Sequence, residues 1–501
     1  MSSQRRKKRY SRRPDNYISK TIGLVLSGIQ VAATIVFMIV LAVLDMLPVK
    51  YFATVGILLL VFCGMILVSQ IFSSKKGIIG KVLCVFITIL LIFASYFMYK
   101  TNLALSKVTS GDYKLDKVVV AVMADNPAET LEDAQNYTFG VQYQMNGEQI
   151  QQTIDAINEE LGTSVSVAEY SSLAEQAQAL HDGAVDAIVY NEGYTGILEE
   201  VFEGYSSNTK VIYSHNIKSK VENKSQDVEV KNTCFSVYIS GIDVYGAIET
   251  NSRSDVNIIA EVNPTTHQIL LITTPRDYYV EIPGISGGQK DKLTHAGIYG
   301  VDASMATLNQ LYGMNLDFYA RVNFTSLIDI VDALGGVDVE SEYEFTTSED
   351  SGLVMNVVQG TNHFNGQQAL AFSRERQNVP GGDNQRGKDQ QAVITAMIKK
   401  MVSPAILTGA NGIITSVSGN VDTNMSMDQI QELIKTQLAE APSWSIKSLA
   451  AEGTGDEQMC YSYAGAPLYV MQPNQESVDG IKAAIQAVQN GEELDGAVTT
   501  E

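Results

Sequence analysis

Cysteine is scarce in this chain, with four in 501 residues. Cys63 and Cys84 fall inside apolar runs, which leaves Cys234 and Cys460. Two cysteines build no disulfide framework, although in an oxidising exterior they have the option of pairing with each other. Histidine is nearly as scarce: the five are scattered, no HExxH occurs, and His181 stands alone near a predicted helix end, which weighs against zinc chemistry. No glycine-rich phosphate loop follows a predicted strand. GISGG at 284–288 satisfies G-x-S-x-G, but IPG precedes it and QKDK follows. A nucleophile elbow needs a strand before and a helix after, so this segment reads as a glycine loop.

Positive charge is the third shortage, and it is unevenly spread. Residues 1–100 hold 13 basic residues against 2 acids, leaving 22 basic and 54 acidic residues for the rest of the chain. A surface that acidic repels nucleic acid and phosphate in general. Beyond residue 100 there are six arginines: Arg253, Arg276, Arg321, Arg374, Arg376 and Arg386. All lie within one segment, which points to a local anion site.

Three long apolar runs, 22–44, 52–71 and 82–99, are each long enough to cross a hydrocarbon core of ~30 Å. RRKKRYSRR (5–13) precedes the first, and Lys75, Lys76 and Lys81 separate the second from the third. Basic flanks mark the cytoplasmic side, so the amino terminus is expected inside and everything after Tyr99 outside. The resulting plan is a basic cytoplasmic tail (1–21), three transmembrane helices (22–99), a polar tether (100–114), a small α/β accessory domain (115–225), a larger domain (226–489) and a frayed tail (490–501). In the accessory domain strands are expected at 117–124, 164–170 and 184–191 and helices at 147–162 and 172–183. It is similar to one lobe of an extracellular solute-binding protein. In the larger domain 256–264 and 267–275 read as a hairpin around NPTT. Helices are expected at 302–313, 324–336, 364–376, 389–403 and 428–440. That order predicts an α/β fold with a mixed central sheet covered by helices, an α/β/α arrangement.

Acids and arginines recur at the strand ends of this domain, where α/β sheets place ligand sites. Asp243 closes the first strand, Arg253 and Asp255 share a face at the start of the next, and Arg276 and Asp277 follow the third. SRERQNVPGGDNQRGKDQQ (373–391) sets Arg374, Arg376 and Arg386 around a glycine turn, with Gln390 one helical turn beyond Arg386. Guanidinium forks grip phosphate oxygens bidentately. Carboxylates such as Asp243 and Asp255 suit a magnesium ion on the same phosphates. Arg321, in the alternating stretch FYARVNF, is expected to face solvent.

GID (241–243), NSRSDVNIIAEVNP, TTPRDYYVEIPG, DKLTHAGIYG, IVDALGGVDV and FNGQQALAFSRERQNVPGGDNQR, in this order, resemble the LytR-CpsA-Psr family. Three spans followed by an accessory domain resemble its streptococcal capsule-type members. The resemblance implies a membrane-anchored transferase of the Gram-positive wall, multi-pass, with its catalytic domain outside the cell. Such an enzyme moves a glycopolymer from a polyprenyl-pyrophosphate carrier to peptidoglycan; capsular polysaccharide is the polymer expected, with teichoic acid or another wall glycan as the alternatives. It also implies Asp243 and Asp255 as Mg2+ ligands and Asp255, Arg276 and Arg374 as catalytic groups. Arg253, Arg276, Arg374, Arg376, Arg386 and Gln390 become pyrophosphate contacts. Asp255, or else Asp243, is also the candidate to take the acceptor hydroxyl's proton. Many members read R-x-x-R-Q where this chain has Arg386-Gly-Lys-Asp389-Gln390, so Asp389 does not supply the further cationic contact and Lys388 need not replace it. The lipid requires an apolar tunnel, and 302–334 is one candidate lining, although its helices read equally as ordinary core. Capsule assembly machinery is a further implied partner; nucleic acid is not. A pyrophosphatase would share the site and use water as acceptor, whereas a regulator of wall expression would need more cytoplasmic chain than about twenty polar residues.

Overall fold

A computed structural model describes residues 15–45, 47–72, 77–108, 113–220, 227–242, 248, 251–403 and 421–493. The chain divides into two compact units, residues 1–104 with 430–441, and residues 105–429 with 442–501.

The first unit contains α1 (Asp15–Leu44), α2 (Val49–Phe72) and α3 (Ile78–Val108), each carrying a span long and apolar enough to cross a bilayer. Their packing rests on small residues around one polar side chain. Gln70 is buried and donates to the Gly77 carbonyl, and a Cβ on Gly23 or Gly80 would lie 2.2 or 2.4 Å from the Gln70 amide. Close backbone approach through glycine, with an amide as interhelical glue, is how apolar helices associate when burial gives no driving force. Part of the expected tail and tether is helical: α1 already begins at Asp15, and α3 continues to Val108, five residues before the first strand.

The second unit opens with a five-stranded sheet built from β1 (Tyr113–Met123), β2 (Thr138–Val141), β3 (Ser166–Glu169), β4 (Ala187–Asn191) and β5 (Thr209–Lys220), in the order β3-β2-β4-β1-β5. Helices α4 (Gly147–Leu161) and α5 (Leu173–His181) pack on it, and α6 (Thr195–Val201) follows β4. β2 and β5 add to the three expected strands. The core of this region continues into the next: Val119, Ile188, Tyr194 and Ile197 share one apolar cluster with Ile298, Cys460, Leu468 and Val470.

The larger sheet has six strands, β6 (Phe235–Ile242), β7 (Ser254–Asn263), β8 (Gln268–Thr273), β9 (Phe318–Asn323), β10 (Val421–Thr423) and β11 (Ser445–Ala450). Their order is β10-β9-β6-β7-β8-β11. It is mixed: β6 and β9 run parallel, as do β8 and β11, while β6-β7-β8 form an antiparallel meander. All six residues of β8 are buried, because each face is covered. Leu270 and Ile272 meet α7 (Val301–Tyr312) and α11 (Gln475–Gln489) on one side, whereas Ile269 and Leu271 face α10 (Asp383–Met401) on the other. The expected α/β/α layering follows from that alternation.

Between these layers α8 (Phe324–Ala333) and α9 (Gly366–Arg374) each start at a capping box, Asn323 with Ser326 and Asn365 with Gln368. Gly335 and Gly336 end α8 at φ of 74° and 87°, a conformation glycine adopts without strain. One open option is decided in this unit and one expectation fails. Cys234 and Cys460 are both free: Cys234 lies beside the Val488 and Gln489 carbonyls, whereas Cys460 is buried beside the Gln458 carbonyl. Arg321 is 3% exposed, not solvent-facing, and pairs with Asp422 of β10 at 3.5 Å. The strand that carries it is interior to the sheet, with β10 on its outer side.

Candidate active site

The strand ends and the arginine loop meet at two neighbouring cavities. The first, about 530 Å³, is lined by Arg253, Asp255, Arg276, Arg374, Arg376, Arg386 and Gln390. These are seven of the eight residues expected to form the site; Asp243 lies outside the described residues. Five of the six arginines beyond residue 100 therefore reach one cavity. Its remaining wall mixes aliphatic and aromatic side chains, such as Ile239, Ile242, Val256, Phe324, Leu327 and Ile394, with polar ones that include Glu199, Glu200 and Asp350. The candidate lipid lining at 302–334 is met only from Val322 onward. Helix α7 is instead packed into the core, with Val301, Leu308 and Tyr312 buried there.

The second cavity, about 560 Å³, shares Asp255, Arg276, Arg386 and Gln390 with the first. It is otherwise more polar, with Asn257, Thr274, Asp277, Lys388, Glu452 and Tyr469 in its wall. Sheet order separates the two. The first lies over β9, β6 and β7, and the second over β7 and the ends of β8 and β11, so they meet at the start of β7.

Asp255 stands at that junction. Its Oδ1 lies 3.2 Å from Arg276 Nη1 and accepts from the Thr294 hydroxyl at 2.9 Å. Burial opposes its charge, but Arg276, Arg253 and Arg386, with the Thr294 hydroxyl, hold its carboxyl well below the usual carboxylate range. So firmly anionic a group is a weak proton acceptor and a strong partner for cations. Among the described residues no group of three or more His, Cys, Asp or Glu side chains is arranged to hold a metal ion. Magnesium needs only one or two protein carboxylates beside phosphate oxygens and water, so Asp255 is a fitting ligand.

The arginine loop is braced from within. Arg374 ends α9 with its guanidinium 4.6 Å from the centre of the Phe324 ring. Glu375, fully buried, accepts from the backbone N–H groups of Arg376, Gln377, Asn378 and Ser348. Burial raises its carboxyl and these donors more than reverse the effect, so it remains ionised below the ordinary range. Helix α10 begins six residues before the expected start at 389, directly after Gly381 and Gly382 at positive φ. Arg386 thus lies within the helix, and it shares with Gln390 the face that lines both cavities.

Asp389 does not replace the cationic contact that family members carry there. It is 2% exposed and accepts from the Gln385 amide at 3.0 Å, and among the described residues its Oδ2 has no hydrogen-bond partner. Burial pushes its carboxyl up to about 7. An unfolded aspartate titrates near ~3.9, so between those values the folded state holds the extra proton. This contribution to stability is fully present well below pH 4, declines as pH rises to 7 and stays lost above. Asp389→Asn is expected to stabilise the protein at pH 8 by on the order of 2–4 kcal/mol, and by almost nothing at pH 4. Melting temperatures at the two pH values check this.

Three contributors escaped sequence reasoning: Glu200, which pairs with Arg253 at 2.9 Å, Lys292 beside it, and Phe324 under Arg374. Glu200 comes from α6, beside the five-stranded sheet, and nothing local to its sequence marks it.

The LytR_cpsA_psr family model matches residues 200–485. "Polyisoprenyl-teichoic acid--peptidoglycan teichoic acid transferase TagU" of Bacillus anthracis is 34% identical over 241 residues, 45% of this chain and 77% of that one. Its counterpart in Enterococcus faecalis is 33% identical over 232 residues, covering 46% and 73%. Among solved structures, Bacillus subtilis TagV aligns at 25% identity with a TM-score of 0.45, covering 52% of this chain and 98% of that one. TagT bound to LI-WTA aligns at 26% identity with a TM-score of 0.42, covering 54% and 96%. The family model alone spans more than half of the chain, and the chain belongs to the LytR_cpsA_psr family.

Proposed function

We propose that this chain is a membrane-anchored phosphotransferase with its globular region outside the cell, moving a glycopolymer from a polyprenyl-pyrophosphate carrier to peptidoglycan. The observation that carries the reading is one cavity lined both by five arginines and by a set of aliphatic and aromatic side chains. That combination suits a ligand with a doubly anionic head and a hydrocarbon tail. The relatives named above are transferases of polyisoprenyl-linked teichoic acid. The polymer here is a wall glycan of that chemical kind, teichoic acid by the relatives' names and capsular polysaccharide by the three-span architecture.

In the reaction the acceptor hydroxyl attacks the glycan-side phosphorus, its proton passes to solvent water, and the bond to the bridging oxygen breaks. The products are a glycan phosphodiester on the acceptor and polyprenyl phosphate. Attacking and leaving oxygens lie roughly in line in such displacements. A lipid in the first cavity and an acceptor sugar entering from the second meet that requirement, because the cavities extend in opposite directions from the start of β7. Arg276, Arg374 and Arg386 would take the charge that builds on the leaving phosphate, an electrostatic contribution that dominates many such reactions. Asp255, with Asp243, would hold Mg2+, which when bound neutralises phosphate charge.

The rival is a phosphatase acting on the same carrier. Purified full-length protein given carrier-linked glycan is expected to release polyprenyl phosphate rapidly only when peptidoglycan is present. Equal release with and without peptidoglycan would favour water as acceptor and defeat the transferase reading. Supplying teichoic acid and capsular carriers separately identifies the polymer.

A further inference from the structure

The accessory region reaches the arginine cavity through one short helix. Glu200, on α6, places Oε1 2.9 Å from Arg253 Nη1 and Oε2 2.8 Å from Lys292 Nζ. The Lys292 side chain is 3% exposed and also lies 3.3 Å from Asp277. Asp277 is 3.6 Å from Arg276, which is 3.2 Å from Asp255. Six side chains of alternating sign thus run Arg253-Glu200-Lys292-Asp277-Arg276-Asp255. Glu200 joins Arg253 to the remainder, and it alone of the six comes from the accessory region.

The same helix leaves room for that guanidinium. Gly196 is one turn before Glu200, on the same helical face. A Cβ there would lie 2.4 Å from Arg253 Cζ. Gly196 therefore clears the space into which Glu200 draws Arg253. Thr195, Gly196 and Glu200 are themselves part of the cavity wall.

We propose that Glu200 is a positioning residue for donor binding: it aims Arg253 at the pyrophosphate, so the accessory region completes the donor site. The inference rests on the pyrophosphate reading of the cavity. It opposes the simplest electrostatic expectation, in which removing a carboxylate beside an anion site tightens anion binding.

The test uses full-length protein in detergent, with geranylgeranyl pyrophosphate as the titrated probe. Arg253→Ala is expected to weaken binding roughly tenfold or more, as loss of a charge-assisted contact does. Glu200→Gln and Gly196→Ala are each expected to weaken it by about five- to tenfold, a large part of the same contact. In the Arg253→Ala background neither should have any further effect. Gly196→Ala matters because it keeps every charge, suits a helix, and displaces only the flexible end of Arg253, so its melting temperature should match wild type. Unchanged or tighter binding by Glu200→Gln would overturn the proposal. So would a loss that persists on top of Arg253→Ala, which would mean a general structural role. Failure of the wild-type protein to bind the probe would instead defeat the pyrophosphate reading, and the inference with it.

Discussion

Asp255→Asn is expected to lower the turnover number for transfer by roughly a hundred- to a thousandfold, the loss typical of a removed electrostatic group at a reacting centre. The side chain keeps its shape, so the loss is one of charge. Asp255 bonds to the Thr294 hydroxyl and pairs with Arg276, and it stands where both cavities meet. Removing its charge makes the cavity more positive, so KM for the anionic donor should not rise. Steady-state kinetics with donor and acceptor varied in turn separates these quantities. An increase in donor KM with turnover unchanged would mean that Asp255 merely supports binding.

Arg321→Ala should destabilise the fold by about 1–3 kcal/mol, because it removes a buried guanidinium from a partly buried carboxylate. Asp422 faces Arg321 at 3.5 Å, with side-chain exposures of 18% and 4%. Burial already pushes the Asp422 carboxyl up, and Arg321 works against that shift. Without the arginine, Asp422 would take up a proton or remain an unpaired charge. Arg321→Ala/Asp422→Asn should recover much of the loss, since no charge is then left alone. Because Arg321 lines neither cavity, donor KM of the folded variant should match wild type. Thermal unfolding of the three proteins measures the effect, and an unchanged melting temperature for Arg321→Ala would contradict its burial.

Arg321 also shows where sequence reasoning reached its limit. The stretch FYARVNF alternates, which sets faces but not which face is covered. Only the pairing of β10 with β9 decides that, and β10 is three residues long and polar at its centre. Long or strongly patterned segments were legible for the opposite reason. The three apolar helices, the hairpin of β7 and β8 around NPTT, and the glycine-closed α8 each carry their signal locally. β2 is short, and β5 is polar along much of its length, so both escaped notice although β5 pairs with β1 over eleven residues. At the site, scarcity did the work: arginine is rare beyond residue 100, so its clustering was informative. Acids are abundant there, so Glu200 was one of many until the fold set it against Arg253. Lys292 was hidden likewise, inside a run that gave no hint of its buried charge pair.

The central claim concerns which bond breaks, and the linkage in the product tests it most directly. Peptidoglycan modified by the purified enzyme would be digested to muropeptides and the junction weighed by mass spectrometry, with the released lipid identified in parallel. Phosphoryl transfer predicts one phosphorus between glycan and acceptor sugar for every polyprenyl monophosphate released. A junction without phosphorus, matched by polyprenyl pyrophosphate, would show transfer of the glycosyl group and contradict the account.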